Sequence, residues 1–204
     1  MIAYASRTGT KRNLAALREA GWRILVSARG VLRTEGFPYA LDNGAWTAHQ
    51  RGEDFDVPAF EKAVDLLGEG ADWVVLPDIV GGGHRSLAYS LAWLPRLAPL
   101  PGRLLIAVQD GLEPADVAPY VSDRVGIAVG GSTEWKIRTI PAWGKFAREH
   151  DCYLHILRVN SVRRLNLCRD AQADSFDGSG PSRFAKHLAV MEAGRRQLHL
   201  MESF

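Results

Sequence analysis

Six short segments hold the residues best equipped for chemistry: Asp42 in ALDNGAW, Asp78 in VVLPDIVGG, Gln109 in IAVQDG, Gly130 and Gly131 in IAVGGS, Arg158 and Asn160 in HILRVNS, and Asp177 in SFDGSG. Each follows or closes an apolar run. Three carboxylates and an amide facing one cavity have a definite repertoire. A carboxylate accepts two N–H bonds from N1 and the exocyclic amine of guanine, a Gln amide donates to its O6, and glycine lets backbone approach the base closely. A second carboxylate facing a pentose attacks the anomeric carbon through an oxocarbenium-like transition state and forms a covalent glycosyl-enzyme. A third moves protons. Like charges held close raise one another's pKa and are costly without a compensating ligand or donor, which argues against an idle accumulation.

The elements that must position these residues are legible as a rhythm. Apolar runs at Ile2 to Ala5, Ile24 to Ala28, Tyr39 to Leu41, Trp73 to Leu76, Leu104 to Val108, Gly126 to Val129, Tyr153 to Val159 and Ser175 to Phe176 read as strands. Several are continuously apolar, as parallel strands covered on both faces are. Helical spacing fills Asn13 to Ala20, Pro58 to Leu67, Ser86 to Leu97, Glu134 to Glu149 and Ser161 to Ala171. Repeated βα units imply right-handed crossovers, and about eight strands close a (β/α)8 TIM-like barrel whose strand ends share one mouth. The alternative is an open doubly wound sheet. The short chain and the Arg29 to Pro38 connection, too brief for a good helix, leave room for a compact barrel trimmed short of full closure. Ser132 or Thr133, and Asn160 or Ser161, are expected to cap helices, and Pro181 suits a first helical turn. No linker or repeat divides residues 1–204, so a single domain is expected.

Composition narrows the class. Of 204 residues, 47% are hydrophobic and 24% charged, which excludes disordered, collagen-like and coiled-coil chains. A net charge of +2 is too small to argue for nucleic acid by itself. Cys152 and Cys168 cannot build a disulfide framework or a four-Cys zinc cage, and a reducing compartment is the simpler expectation. Without a signal-like N-terminus or a spanning apolar run, the chain is expected to be cytoplasmic, in a prokaryotic or phage-infected cell, with no membrane partner.

The ordered series LDNGAW, LPDIVGG, AVQDG, VGGS and ADSFDGSG resembles the base-exchanging transglycosylases of the queuine tRNA-ribosyltransferase superfamily. It is most similar to the short, phage- and genomic-island-associated DpdA-type 7-deazaguanine DNA transglycosylases, over about Tyr39 to Pro181. The resemblance implies that Asp177 attacks C1′, that Asp42 handles the proton of the departing and incoming base, and that Asp78, Gln109, Gly130 and Gly131 hold the purine. It implies exchange of guanine for a 7-deazaguanine such as preQ0, with no ATP and no other cofactor. The tRNA enzymes carry a three-Cys, one-His zinc cluster after the nucleophile. No Cys follows Asp177 here, so neither a metal nor a zinc subdomain is expected, and DNA rather than tRNA is the expected partner. A homo-oligomer or an accessory protein remains compatible with this pattern.

Blander readings compete at each position. Asp177 could be a helix cap or turn residue, and Asp174 is its rival as nucleophile; Asp42 sits in a DNG turn signal; Asp78 could cap a helix; Gln109 could belong to a turn with Asp110 and Gly111. Gly81 to Gly83 lacks the Lys-Ser or Lys-Thr of a phosphate loop and reads as a turn. His150, Cys152 and His155 read as packing rather than metal ligands, and Trp46, Trp135 and Trp143 as core anchors, with Trp46 the one that could reach the mouth. The C-terminal quarter is rich in Lys and Arg, and Arg158, Asn160, Ser161, Ser179 and Arg183 flank helix openings where a nucleic-acid backbone could rest. Two activities of other classes stay open: a non-catalytic nucleic-acid-binding subunit of the same fold, and a barrel lyase or isomerase of sugar phosphates. The second lacks an evident strand-end Schiff-base lysine, since Lys136, Lys145 and Lys186 fall in or near helices. A tRNA-guanine transglycosylase is the nearest alternative within the same chemistry.

Overall fold

A computed structural model of the chain describes residues 1–201. Its parallel strands are β1 (Ile2–Ser6), β2 (Arg23–Ser27), β3 (Tyr39–Asp42), β4 (Trp73–Val75), β5 (Arg103–Val108), β6 (Val125–Val129), β7 (Leu154–Ile156) and β8 (Ser175–Gly178). They pair in chain order, and β8 returns to β1 with Tyr4 opposite Asp177. The barrel is fully closed. Around it lie α1 (Lys11–Glu19), α2 (Ala45–Gln50), α3 (Val57–Leu67), α4 (His84–Leu97), α5 (Pro114–Val117), α6 (Thr133–Glu149), α7 (Val162–Asp170), α8 (Gly180–Arg183) and α9 (Ala185–Met201).

Closure does not need a helix between β2 and β3. The connection instead buries Phe37 in the main core, with the Arg18 guanidinium 4.4 Å over its ring and Arg7 paired to Glu35. An aromatic anchor here covers the strands as a crossover helix would, and burying such a side chain contributes about 2 kcal/mol. β7 pairs over fewer residues than its apolar run suggests because Arg158 adopts a left-handed φ of 59°, which turns the chain at the strand end.

Strand alternation sorts the side chains into two cores. Ile24, Val26, Leu41, Val74, Ile106, Val108, Ile127, Val129, Ile156 and Phe176 face the helices, whereas Tyr4, Leu25, Ala40, Trp73, Val75, Leu105, Ala107 and Ala128 fill the lumen. Tyr4, Trp73 and His155 stack against one another in the lumen, with ring centroids 4.4 Å apart for Trp73 and His155 and 5.1 Å for Tyr4 and Trp73. Below them Asp72 accepts from the Tyr4 hydroxyl at 2.9 Å and pairs with Arg23 at 2.7 Å. This packing plugs the N-terminal end. Among the described residues the lumen is thus open toward the C-terminal mouth. The expected caps form at Ser132, which accepts from Trp135 N–H, and at Ser161, which accepts from Arg164 N–H.

Candidate active site

Asp42 is the last residue of β3, Asp78 follows β4, Gln109 follows β5, Gly130 follows β6, and Asp177 lies within β8. All five therefore belong to the C-terminal mouth, and the charges of Asp42, Asp78 and Asp177 act on one another. Asp174 precedes β8 at the opposite end, where its carboxylate accepts from Leu154 N–H at 2.8 Å. That position removes it as a rival at the mouth. Neither Asp177 nor Asp78 is a cap: Ser179 precedes α8, and Gly83 precedes α4.

Asp177 is 5% exposed. Its Oδ1 accepts from Arg158 N–H at 2.9 Å, and His155 Nε2 lies 3.2 Å from the same oxygen. The left-handed turn at Arg158 aims that N–H across to β8. Asp42 is half-buried, and burial, followed by the charge of Asp177, pushes its carboxyl up to about 6, against the Ser27 hydroxyl and the Gly44 N–H, which lower it. The Gly44 N–H donates to Asp42 Oδ2 at 3.1 Å, whereas the buried Ser27 hydroxyl reaches no partner in good hydrogen-bonding geometry. Gly44 sits at φ 82°, and a side chain there would strike Arg29, so the DNG turn is also a steric requirement.

Asp78 is likewise pushed up to about 6 by burial, opposed by the Asn43 amide; the Asp42 charge raises it further and Arg158 lowers it. Asn43 is the staple of this wall. Its amide donates to Asp78 Oδ1 at 2.7 Å and to Leu76 C=O at 2.6 Å, while its own carbonyl accepts from Ala45 N–H at the start of α2. One side chain thus ties the β3 turn to the end of β4. A cavity of about 460 Å³ opens from Asp78 outward, between α2 and α4, past His49, Phe55, Arg85 and Tyr89.

Gln109 is not a free amide. Its Nε2 donates to Ile79 C=O at 2.9 Å and its Oε1 accepts from Gly81 N–H at 2.6 Å, so it secures the loop that carries Asp78. Reading a base edge directly would require that loop to release it. Gly131, at φ 70°, has no room for a Cβ, which would meet Asp110 Oδ2 at 2.5 Å; Asp110 in turn accepts from the Ser132 backbone and hydroxyl at 2.6 Å. Gly130 would place a Cβ 3.3 Å from Leu157.

The residues expected on a nucleic-acid backbone divide. Arg158 folds over the mouth instead of outward: its guanidinium donates to Gly131 C=O and stacks 4.2 Å from the Trp46 ring. Burial lowers its pKa, although the Asp177, Asp78 and Asp110 carboxylates hold its charge in place. Asn160 accepts from Gly180 N–H at 2.9 Å and braces the start of α8, and the Ser161 hydroxyl caps α7. Ser179 lies at the α8 N-terminus without a side-chain cap bond, and Arg183 is exposed with no ion pair among the described residues. Trp46, 41% exposed, does reach the mouth, whereas Trp135 and Trp143 are buried anchors.

His155 is the main residue whose link to the site sequence reasoning did not see. It is packed, as expected, but on the lumen side of β7 beneath Asp177 and fully buried. The available signal was its alternation with Tyr153 and Leu157, which put a polar ring on the inward face of a strand. Asn43 and Ser27 also escaped notice, because a turn signal and a strand-end serine have ordinary explanations. Among the described residues no group of three or more His, Cys, Asp or Glu side chains is arranged to hold a metal, and no helix is long and apolar enough to cross a membrane.

The fold and the mouth together define a closed (β/α)8 barrel with an acidic, partly covered strand-end site. No family model matches the chain, and no curated protein matches it.

Proposed function

We propose that the chain is a base-exchange transglycosylase that replaces guanine in DNA with a 7-deazaguanine of the preQ0 type. The observation that carries this reading is the unlike treatment of neighbouring carboxylates. Asp177 has one oxygen held by two nitrogens and the other without a partner among the described residues, which suits a positioned nucleophile. Asp42 is desolvated and raised to about 6, which suits a group that gives and takes a proton near neutrality. Environments that separate the behaviour of paired acids are how such assignments are made in glycosyl transfer.

In this reading Asp177 displaces guanine from C1′ as Asp42 protonates the departing base. The incoming base then surrenders a proton to Asp42 and attacks the same carbon, so two inversions retain configuration. Asp78 accepts from the purine's N–H edge, with Asn43 holding its other oxygen. The base must leave the helix stack to arrive, and Arg158 must leave Trp46 to admit it. Arg183, exposed at the end of α8, is the cation assigned here to a phosphate.

The test is release of labelled guanine from duplex and single-stranded DNA, with tRNA in parallel, in the presence and absence of preQ0. Release that depends on the added base and disappears in Asp177→Ala is the expected result. Exchange by Asp177→Ala at the wild-type rate would refute the mechanism. Salt-dependent DNA binding without exchange would instead indicate a binding subunit, and exchange confined to tRNA the alternative substrate.

A further inference from the structure

His155 has no access to the mouth, yet it is bonded at both ring nitrogens. It is completely buried, wedged between Trp73 and Tyr4, with Nδ1 2.7 Å from Ser175 Oγ and Nε2 3.2 Å from Asp177 Oδ1. The Tyr153 hydroxyl donates to the same Ser175 oxygen at 2.9 Å. Two proton placements fit this chain. In one the Ser175 hydroxyl donates to Nδ1 and the ring carries its proton on Nε2; in the other the ring carries both protons, and Ser175 Oγ accepts from Tyr153 and from Nδ1. Both put an N–H on Nε2, which is what the ring needs in order to donate to a carboxylate oxygen. His155 thus donates to Asp177 Oδ1, as does Arg158 N–H. Oδ2 has no partner among the described residues.

We propose that Tyr153, Ser175 and His155 form a positioning clamp that reserves Asp177 Oδ2 for the pentose and receives returning charge at Oδ1 when the glycosyl-enzyme breaks down. This inference rests on the reading of Asp177 as nucleophile. In the first half-reaction the Oδ2–C1′ bond forms, the C1′–N9 bond to guanine breaks, and guanine takes the electron pair and a proton from Asp42. Oδ1 becomes the carbonyl oxygen of a neutral ester. In the second half the incoming base passes its N9 proton to Asp42, N9 bonds to C1′, and the Oδ2–C1′ pair returns to the carboxylate. A hydrogen bond to a charged acceptor is stronger than one to a neutral carbonyl. The two donors therefore stabilise the carboxylate as it leaves and, by the same bonds, restrain it before attack, so their loss slows breakdown of the ester and does not slow its formation. His155, which never touches the substrate, is a positioning residue whose loss is felt as a slower second half-reaction.

The experiment compares wild type, His155→Phe, His155→Gln and Ser175→Ala in rapid-quench exchange of guanine for preQ0, each variant first matched to wild type by thermal melting. Losing a hydrogen bond to a charged group corresponds to a rate loss of about tenfold to a hundredfold. His155→Phe is expected to keep the first-turnover burst of guanine release and to lose steady-state exchange by that factor. A pentosyl adduct on the Asp177 peptide should then accumulate in mass spectra. His155→Gln, which retains an N–H donor, should recover part of the rate, and Ser175→Ala should fall between. Wild-type exchange by His155→Phe, or burst and steady state falling together, overturns the proposal. Histidine ¹⁵N NMR of the wild-type protein supplies a readout that needs no turnover: a proton on Nε2, with or without one on Nδ1, is expected, and a ring protonated at Nδ1 alone overturns the clamp. If wild type exchanges no base at all, the functional reading fails and takes the kinetic role with it, while the tautomer still distinguishes that failure from failure of the clamp.

Discussion

Asp42→Asn should make the protein more stable while removing the proposed base-exchange activity. The Asp42 carboxyl is displaced from 3.8 to about 6, first by burial and then by the nearby Asp177 charge. At about 1.4 kcal/mol per pH unit of displacement, keeping it ionised costs the fold about 3 kcal/mol, and about 2 kcal/mol once hydration through the mouth is allowed for. Because the folded-state value is raised, the folded protein binds more protons than the unfolded chain between pH 3.8 and about 6. The penalty is absent below that interval, grows across it, and is complete above it. An asparagine can still accept from Gly44 N–H, carries no charge, and relieves Asp78, whose carboxyl the Asp42 charge also raises. Urea unfolding at pH 8 should show Asp42→Asn more stable by about 2 kcal/mol, a factor of about thirty in the folding constant, with the difference nearly gone by pH 4. The same variant should lose at least about a hundredfold in base exchange, the usual worth of a general acid–base group. Adding Asp78→Asn should give less than the sum of the single gains, since each removes the other's repulsion. Equal stability of wild type and Asp42→Asn at pH 8, or a difference that ignores pH, would refute the electrostatic reasoning.

Lys136 is 1% exposed on α6, where its ammonium donates to Leu157 C=O, and burial lowers its pKa to about 8. Wild-type stability should therefore rise between about pH 8 and 10.5, as the unfolded chain retains the proton longer. Lys136→Met should remove that rise and stabilise the protein by about 2 kcal/mol at pH 7, net of the lost hydrogen bond, as measured by urea midpoints. Gly131→Ala must adopt a positive φ and accommodate a Cβ 2.5 Å from Asp110, so thermal unfolding should register a loss of about 2 kcal/mol. Arg158→Ala should uncover Trp46 and increase acrylamide quenching of the indole emission, a change that a Trp46→Phe background should abolish.

The barrel was legible because its strands are buried on both faces and so read as continuous apolar runs, from Ile24 to Ala28 through Leu104 to Val108. Full closure was less so. The missing β2–β3 helix argued against it, and only the packing of Phe37 explains why no helix is needed. α2 was overlooked because it is six residues long and starts directly from the DNG turn, where Asn43 satisfies Ala45 N–H. Residue identity and strand position were enough to place Asp42, Asp78, Gln109 and Asp177 at one end of the barrel. They did not show that Gln109 is tied to the neighbouring loop, since an amide with two loop partners and a free amide look the same in one dimension.

Read alone, the chain determines its period: which residues are buried on strands, where strands stop, and hence which side chains can stand at one end of a barrel. Those follow from local hydrophobicity and backbone preference, which neighbouring residues encode. What only the folded molecule decides is who faces whom. Strand register sets Tyr4 beside Asp177 and His155 beside Ser175, and the left-handed turn at Arg158 carries its side chain to Trp46. These partners lie tens to more than a hundred residues apart, so their protonation and positioning come from a three-dimensional environment that no local pattern specifies.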